Sequence, residues 1–462
     1  MIAKKQTMSK GVKKPYVECL GMSATEVTGS LYKVRFQDHL FLVECGMYQG
    51  AGNPLDNYTM NKDMMKKIRP KDVECVVISH AHADHSGNVP YIFARGGNPR
   101  VIVPTGCKQF LEIMWMDSLN IMRNDEIKLL HKHNIKAPPL YDEQAIQKAL
   151  SKVVEIDLHQ TINLFPNVQL TYYDAGHIKS SAQVYLEFTM GYTKKRIGFT
   201  GDIGNVEEKA YTTKRESLPF VDVLFGECTY SSPARPNLPT DRAKDLEKVA
   251  WAIENCNNVL FPVFSLSRCQ QIMKMLADNF KGNFWIDSPL CQKISAVWDD
   301  SSEWHQVMSK FKFTADYEES KHLQDSIDKK IILSSSGFLS GGRVLKWLSK
   351  ILPDENNAII FVGFAGDNGL ASQIKSAQPN VEVEGNQVAN KAKLLELRSF
   401  SSHANYYELM DYYTQCEYNK IILVHGDYEE KVEFAKVLQN KLVTEARSAK
   451  VVACGNDYKI YF

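Results

Sequence analysis

The chain has 462 residues, of which 44% are hydrophobic and 24% are charged, a composition that can bury a large core and supports two or three domains. Its 55 basic and 54 acidic residues leave a formal net charge of +1 at pH 7, which excludes the global positive field of an indiscriminate nucleic-acid binder. A polyanionic ligand would therefore need a local groove.

The ten cysteines are scattered along the chain with no C-x-x-C pair, a pattern that favours a reducing, cytoplasmic environment over a disulfide framework. The N-terminal lysines are followed by no apolar h-region, and no apolar run is long enough to span a bilayer. We therefore expect neither secretion nor membrane insertion. These lysines could form a nucleic-acid-binding arm but fit a frayed terminus better; they are Lys4, Lys5, Lys10, Lys13 and Lys14.

Short β runs dominate the first two hundred residues, and several of them end in Gly, Pro or Asp. Strands are predicted at residues 40–43, 73–79, 101–103, 168–173, 184–188 and 197–199. Between them, residues 108–122 and 142–153 have the periodicity of helices.

From about residue 206 the pattern changes to β runs that alternate with helical stretches, as in a mostly parallel α/β unit. Strands are predicted at 221–225, 259–263, 283–286, 331–333 and 359–362, and helices near 242–255, 269–280 and 343–352. After about residue 388 the chain returns to strands, at 394–397, 421–424, 451–454 and 458–462. This order predicts a first domain made of residues 1–205 and 391–462, split by an inserted domain at 206–390.

The segment His80-Ala-His82-Ala-Asp84-His85 directly follows a predicted buried strand. Residues two apart in an extended loop face the same way, so His80 and His82 can bind one ion while Asp84 and His85 turn towards another. Three histidines and one aspartate within six residues favour a metal site over a histidine-rich surface loop.

Two ions need about four further ligands, and the candidates stand where other strands end. His177, Asp202 and His425 each follow a hydrophobic strand and lie beside a glycine. One such residue alone is more often structural, but the shared context favours convergence on one site. Imidazole and carboxylate ligands suit zinc, and the Asp202 carboxylate can bridge two ions.

Such a pair of ions lowers the pKa of a bound water to about 7 and clamps the oxyanions of a phosphodiester, which predicts hydrolysis. The leaving oxygen needs a proton, and a histidine that is not used for metal is the usual donor. His403 is the candidate, with Glu227 at a strand end able to orient its imidazole. Asp84 is predicted to be a catalytic carboxylate as well as a ligand.

Taken in order, these residues resemble the metallo-β-lactamase superfamily over nearly the whole chain, and the H-x-H-x-D-H loop is specific to it. Later segments are similar to motifs A, B and C of its β-CASP branch of nucleic-acid-processing nucleases. Those segments are Glu227-Cys228-Thr229-Tyr230, Ser399-Phe400-Ser401-Ser402-His403 and Leu423-Val424-His425-Gly426.

The resemblance implies an α/β fold, in which a metallo-β-lactamase αββα sandwich carries an inserted β-CASP α/β domain. It also implies two zinc ions per chain. A histidine at motif C is typical of branch members that act on RNA, so His425 favours RNA over DNA.

Residues 261–268, 286–289 and 335–343 also match the branch. The last segment resembles one that lies by the substrate cleft in relatives, and it suits phosphate because glycines expose backbone N–H groups and arginine adds a fork of donors. The substrate-binding residues that it predicts are Ser336, Gly337, Gly341, Gly342 and Arg343. Arg268 is a further candidate, for which a substrate contact and a domain-packing ion pair stay equally open.

The chain departs from the family pattern at three places. Glu44 stands where relatives usually have Asp, and Lys179 and Ser180 replace the commoner Leu-Gly after His177. Residues 363–369 lack the arginine of a usual Gly-Thr-Leu-Gly-Arg run. These departures bear on the substrate and the cut position more than on the chemistry.

The resemblance therefore implies a zinc-dependent ribonuclease that acts on single-stranded RNA, cutting internally, from an end, or both. A single-stranded DNA nuclease remains an alternative, favoured if DNA is cut as fast as RNA. A catalytically silent scaffold in an RNA-processing complex is another, against which the complete ligand set argues. A homodimer or an RNA-processing partner is suggested by analogy only.

Overall fold

The computed structural model describes residues 14–50, 53–204, 214–233, 242–363 and 369–462. In chain order, the elements up to residue 227 are β1 (Tyr16–Cys19), β2 (Leu31–Phe36), β3 (His39–Cys45), α1 (Pro54–Lys66), β4 (Cys75–Val77), α2 (Ala83–Ser86), α3 (Val89–Ala94), β5 (Arg100–Pro104), α4 (Lys108–His133), α5 (Glu143–Leu150), β6 (Val153–Ile156), β7 (Ile162–Phe165), β8 (Val168–Asp174), β9 (Ala182–Met190), β10 (Thr193–Phe199) and β11 (Val221–Glu227). Short 3-10 helices lie at Met22–Ala24 and Pro70–Asp72.

A run of alternating helices and strands follows. It consists of α6 (Arg242–Asn255), β12 (Asn258–Pro262), α7 (Arg268–Asn279), β13 (Phe284–Ile286), α8 (Pro289–Trp298), α9 (Ser302–Ser309), β14 (Phe311–Phe313), α10 (Tyr317–Asp325), β15 (Lys330–Ser334), α11 (Val344–Ile351), β16 (Ala358–Val362), α12 (Leu370–Lys375), β17 (Asn380–Val383), β18 (Asn386–Ala389) and β19 (Lys393–Leu397). The chain ends with α13 (Tyr406–Gln415), β20 (Tyr418–Val424), α14 (Tyr428–Thr444), β21 (Lys450–Ala453) and β22 (Lys459–Tyr461).

Two seven-stranded sheets form a sandwich, with strand orders β22-β1-β2-β3-β4-β5-β6 and β21-β20-β11-β10-β9-β8-β7. Successive side chains of a strand point to opposite faces of its sheet, and in the central strands both faces are buried. In β4, for example, Cys75 and Val77 pack into the core between the sheets, whereas Val76 packs against the outer helices. Helices α4 and α5 cover the first sheet and α13 and α14 the second. The predicted αββα sandwich is therefore confirmed.

The inserted unit is built on a six-stranded parallel sheet of order β14-β13-β15-β12-β16-β19. One face of this sheet packs with α7 and α8, and the core formed there continues without a break into the core around α4. The rings of Phe110 and Trp298, whose centroids lie 5.6 Å apart, join the two units. The other face is covered by α11 and α12.

Two strands belong to other sheets than the sequence pattern predicts. Val221–Glu227, predicted to open the inserted unit, instead pairs with β10 and β20 in the second sandwich sheet. Lys393–Leu397, predicted to return to the first domain, pairs with β16 in the inserted sheet. Because local alternation reports burial and not strand partners, it could not assign either one. We propose that the inserted unit begins after β11 and ends with β19.

Helix α4 is longer than predicted, since periodicity ended near residue 122 and the helix continues to His133. The second half exposes Ile121, Ile127 and Leu130, and these apolar residues on the solvent side blur the amphipathic pattern. The helix is closed by the next residue, Asn134, which adopts the left-handed backbone conformation common after a helix C-terminus, with φ 53°.

The hydroxyl of Tyr172, on β8, connects the two sheets by donating to the carbonyl oxygen of Ile78 at 2.9 Å. We expect Tyr172→Phe to destabilise the fold by about 1 kcal/mol, because a buried acceptor loses its donor. Thermal unfolding measures this as a lower midpoint. Tyr173→Phe, which changes the partly exposed neighbour on the opposite face, is the matched control, and equal midpoints for both variants would contradict the role of the bridge.

Candidate metal centre

The predicted ligands stand at one rim of the sandwich, where strands of both sheets end. The loop that carries His80 and His82 leaves β4 of the first sheet, and Asp84 and His85 lie in the short helix α2 that follows. The remaining ligands lie just beyond strands of the second sheet, and they are His177 after β8, Asp202 after β10 and His425 after β20. All seven side chains meet at this rim in two groups.

The first group consists of three histidines and Asp202. The Nδ1 atom of His82 lies 3.0 Å from Nε2 of His80 and 3.3 Å from Nε2 of His177. The Oδ2 atom of Asp202 lies 3.7 Å from His80 Nε2 and 3.6 Å from His177 Nε2. The four ligand atoms are therefore close enough together to hold one divalent metal ion.

The second group consists of Asp84, His85, His425 and again Asp202. The Oδ1 atom of Asp202 lies 3.1 Å from His85 Nε2, and Oδ2 of Asp84 lies 3.3 Å from His425 Nε2. Asp202 thus presents one carboxylate oxygen to each group. If both groups held a cation, Asp202 would contribute one oxygen to each.

The donor set fits divalent metal ions. Both ring nitrogens of His85 and Oδ1 of Asp202 are buried without an aligned hydrogen bond among the described residues, a costly state that bound cations would relieve. Burial, reinforced by neighbouring histidines, holds the pKa values of His80 and His177 well below their ordinary range, so both rings are neutral, as ligands must be.

The carboxylate of Asp202 is ionised despite its burial. Desolvation alone would raise its pKa, but His425, His85 and His403 outweigh it and hold the pKa well below the usual range. Burial likewise lowers the pKa of His85, and the carboxylates of Asp202 and Asp84 outweigh this and raise it. The Asp202 carboxylate therefore keeps its charge at the point where the two groups meet and where cations would lie.

A second layer of contacts orients the ligand rings through their other nitrogen. His80 Nδ1 lies 2.9 Å from Ser79 Oγ, His177 Nδ1 lies 2.9 Å from the carbonyl oxygen of Ser402, and His425 Nδ1 lies 3.0 Å from Thr229 Oγ1. None of these three partners was predicted as functional. Each stood beside a predicted ligand or inside a quoted motif, and that proximity was the available signal.

The departure at Glu44 falls in the same layer. Its Oε1 lies 3.5 Å from His85 Nδ1, and its Oε2 accepts a hydrogen bond of 3.3 Å from the backbone N–H of Ser79. The longer side chain thus faces both a ligand ring and the start of the metal-binding loop.

His403 lies beside the first group, with its ring centroid 4.5 Å from that of His177. Its Nδ1 is 3.1 Å from Oε1 of Glu227, and its Nε2 is 3.9 Å from Asp202. Glu227 is fixed in turn, because its oxygens accept from the backbone N–H groups of Ile203 at 2.8 Å and Thr229 at 3.0 Å. Burial lowers the pKa of His403, but the carboxylates of Glu227 and Asp202 outweigh it and raise the pKa.

The two predicted substrate-binding arginines contact the protein itself. Arg268 is 7% exposed and donates to the carbonyl oxygen of Val362 and, at 3.1 Å, to Ser402 Oγ. Arg343 forms an ion pair of 2.7 Å with the buried carboxylate of Asp287. Both arginines therefore have a structural role.

The glycine-rich segment lies at the carboxyl end of β15, between the strand and α11. Gly342 has a left-handed φ of 86°, and an added Cβ would meet backbone 2.4 Å away. Ser336 Oγ accepts from the N–H of Ser340 at 3.1 Å. Gly337 packs on Phe264, and Gly341 has open space around it. The ring of Phe338 is 45% exposed and lies edge-to-face on Phe264, with centroids 4.7 Å apart.

Of the other departures from the family pattern, Lys179 and Ser180 lie in the described part of the chain and most of residues 363–369 do not. Lys179 forms an ion pair of 2.8 Å with Asp299 at the end of α8, which ties the loop after His177 to the inserted unit. Ser180 has a left-handed φ of 62°. Within 363–369, residues 364–368 lie outside the described part of the chain, as do Lys4, Lys5, Lys10 and Lys13.

Three family models match successive parts of the chain. They are the Metallo-beta-lactamase superfamily at residues 24–246, the Beta-Casp domain at 269–374 and the Zn-dependent metallo-hydrolase RNA specificity domain at 388–448. No helix in the described ranges is long and apolar enough to cross a membrane.

Curated relatives align over most of their length. The chain is 28% identical to "Ribonuclease TTHA0252" of Thermus thermophilus, covering 90% of this chain and 94% of the relative. It is 26% identical to "RNase J-like protein" of Methanocaldococcus jannaschii, covering 92% and 94%. A solved structure of a protein of unknown function from Enterococcus faecalis matches 97% of this chain and 100% of its own, with a TM-score of 0.56 and 13% identity, and so supports the fold.

A sandwich of this topology with two histidine and aspartate groups at its rim defines a metal-dependent hydrolase. The chain belongs to the metallo-β-lactamase superfamily and, within it, to the β-CASP branch of RNA-processing nucleases.

Metal removal should destabilise the protein, because cations that bind only the folded state raise its free energy of unfolding. The gain is about 4 kcal/mol when the free metal concentration is about 1,000 times Kd. We expect a chelator to lower the thermal midpoint of the wild-type protein and to have no such effect on Asp202→Asn. His131→Ala, at an exposed histidine near the end of α4, should keep the full chelator response. A chelator response of wild-type size in Asp202→Asn would contradict the bridging arrangement.

Proposed function

We propose that the chain is a zinc-dependent ribonuclease that hydrolyses phosphodiester bonds of single-stranded RNA at a two-metal centre. The observation that carries this proposal is the Asp202 carboxylate shared by two complete ligand groups. Two bound divalent cations supply an activated water at neutral pH and neutralise the charge of a phosphodiester. A relative named as a ribonuclease, aligned over nearly its whole length, supports RNA as the substrate.

Side chains near the metal centre would supply and direct the protons that the reaction needs. Glu227 accepts from Nδ1 of His403, which leaves Nε2 of that ring facing the first ligand group. We assign to His403 the donation of a proton from Nε2 to the leaving oxygen, and to Glu227 the orientation of its ring. To Asp84, whose side chain is 20% exposed, we assign the acceptance of a hydrogen bond from the attacking water.

Substrate phosphate needs donors that are free of protein partners. Because Arg268 and Arg343 are engaged by Ser402 and Asp287, we assign this role to the backbone N–H groups of the glycine-rich segment, chiefly Gly341 and Gly342. The engaged arginines hold the surrounding structure, and Arg343 anchors the start of α11 through Asp287.

A cleavage assay on one oligonucleotide sequence, as single-stranded RNA, duplex RNA and single-stranded DNA, tests the proposal. We expect the RNA strand to be cut, with about two zinc ions per chain by elemental analysis. His403→Ala should keep its zinc and lose about 10²- to 10⁴-fold in kcat, whereas His82→Ala should lose zinc and activity together. His131→Ala again serves as the matched control.

If wild-type protein leaves every RNA intact and His82→Ala is indistinguishable from it, the chain is a silent scaffold and not an enzyme. Cleavage of the DNA strand at the RNA rate would instead favour the nuclease of mixed preference. End-labelled strands distinguish internal cuts from stepwise release at one end.

Single-strandedness can be tested at Phe338, whose exposed ring offers a surface on which an unpaired base can stack. Stacking of this kind contributes about 1–3 kcal/mol per base. We expect Phe338→Ala to weaken binding of single-stranded RNA by that amount and Phe338→Tyr to preserve it. The measurement uses a fluorescent base analogue and chelated protein, so that cleavage plays no part. Equal affinity of Phe338→Ala and wild type would rule out base stacking on Phe338.

A further inference from the structure

Ser402 lies between a metal-ligand histidine and the inserted unit, and it contacts each with a different atom. Its carbonyl oxygen accepts from His177 Nδ1 at 2.9 Å. Its hydroxyl oxygen accepts from Arg268 Nη2 at 3.1 Å. Ser402 is buried, so both contacts are shielded from water. Hydrogen bonds are stronger in such an interior environment than in water.

Arg268 is itself held on the side away from Ser402. It begins α7, and its Nη1 donates to the carbonyl oxygen of Val362 at the end of β16. A Cβ at the neighbouring Gly363 would come within 2.5 Å of the same nitrogen. The guanidinium therefore fills a close-fitting slot between the inserted sheet and Ser402, and its two ends bind different elements.

Asp245 of α6 provides a second, separate anchor for the same loop. One of its oxygens, Oδ2, accepts from the backbone N–H of Arg398 at 2.8 Å, and from both the backbone N–H and the hydroxyl of Ser399 at 2.9 Å. Its other oxygen accepts from Lys248 at 2.9 Å. Nothing in the sequence pattern had marked Asp245, because its partners lie about 150 residues further along the chain.

We propose that Arg268 and Asp245 are positioning residues through which the inserted unit sets the metal affinity of the first ligand group. They hold the segment from Arg398 to Ser402, and the Ser402 carbonyl oxygen holds the proton of His177 on Nδ1, so that Nε2 keeps its lone pair for metal. This inference rests on the metal centre of the proposed function but not on RNA cleavage.

Ser402→Ala gives a sharp test, because it deletes the hydroxyl that accepts from Arg268 and leaves the carbonyl oxygen in place for His177. Arg268→Lys keeps the charge but loses the two-ended fork. The measurement is the rate at which zinc passes from the loaded protein to a chelating dye. Loss of a partner of this kind weakens metal binding by about 10- to 100-fold, and we expect about tenfold faster release of one of the two ions from each variant.

A double-mutant cycle identifies the shared contact. Ser402→Ala combined with Arg268→Lys should release zinc no faster than Arg268→Lys alone, because Arg268→Lys already removes the hydrogen bond to Ser402. Asp245→Asn acts through other bonds, so its effect should add to that of Ser402→Ala. Lys350→Ala is the matched control, since it breaks an exposed ion pair with Asp325 in the same unit and should leave zinc release unchanged.

Wild-type zinc release from Ser402→Ala and Arg268→Lys would overturn the proposal, and so would independent, multiplying effects of these two substitutions. Arg268 would then be a substrate contact if Arg268→Lys raised KM for RNA while zinc release stayed the same. A protein that releases zinc as expected but cuts no RNA would contradict the proposed function and leave this inference standing.

Discussion

The ionised carboxylate of Asp202 is 2% exposed, and burying such a group is costly unless opposite charge and donors surround it. The surroundings are histidines, which approach both of its oxygens from strands of both sheets. The register of strand β10 is therefore strictly constrained. A slip of one residue in its pairing would turn the following segment, which carries Asp202, to the opposite face. The pairing of β10 with β9 and β11 meets this constraint.

The sandwich supplies the ligands, and the inserted unit supplies part of what holds them. Parallel strands β10, β11 and β20 end at one rim, so Asp202, Glu227 and His425 emerge side by side. The loop that carries Ser402 and His403, in contrast, is bound from the inserted side by Asp245 and Arg268. Since one hydrophobic core runs through α4, α7 and α8, the two units hold this loop against a common frame.

The ligand set could be predicted from sequence because each member carries a local signal, a hydrophobic strand that ends in imidazole or carboxylate. Two of the second-layer partners, Ser402 and Thr229, could not be predicted, because their contacts are long-range. Ser402 is 225 residues from His177, and Thr229 is 196 residues from His425. The sheet membership of β11 and β19 was predicted wrongly for the same reason. The partners of Arg268 also depend on segments far apart in sequence, so the sequence left its role open.

Of the departures from the family pattern, Glu44 contacts the metal-binding loop and Lys179 contacts the inserted unit. Glu44 lies beside His85 and the N–H of Ser79, so a carboxylate still stands behind the metal-binding loop. Lys179 instead forms an ion pair with Asp299 in the inserted unit. This ion pair lies two residues beyond His177, so the lysine adds a further link between the ligand loops and the inserted unit. Glu44 thus supports a metal ligand from within the sandwich, whereas Lys179 ties a ligand loop to the inserted unit.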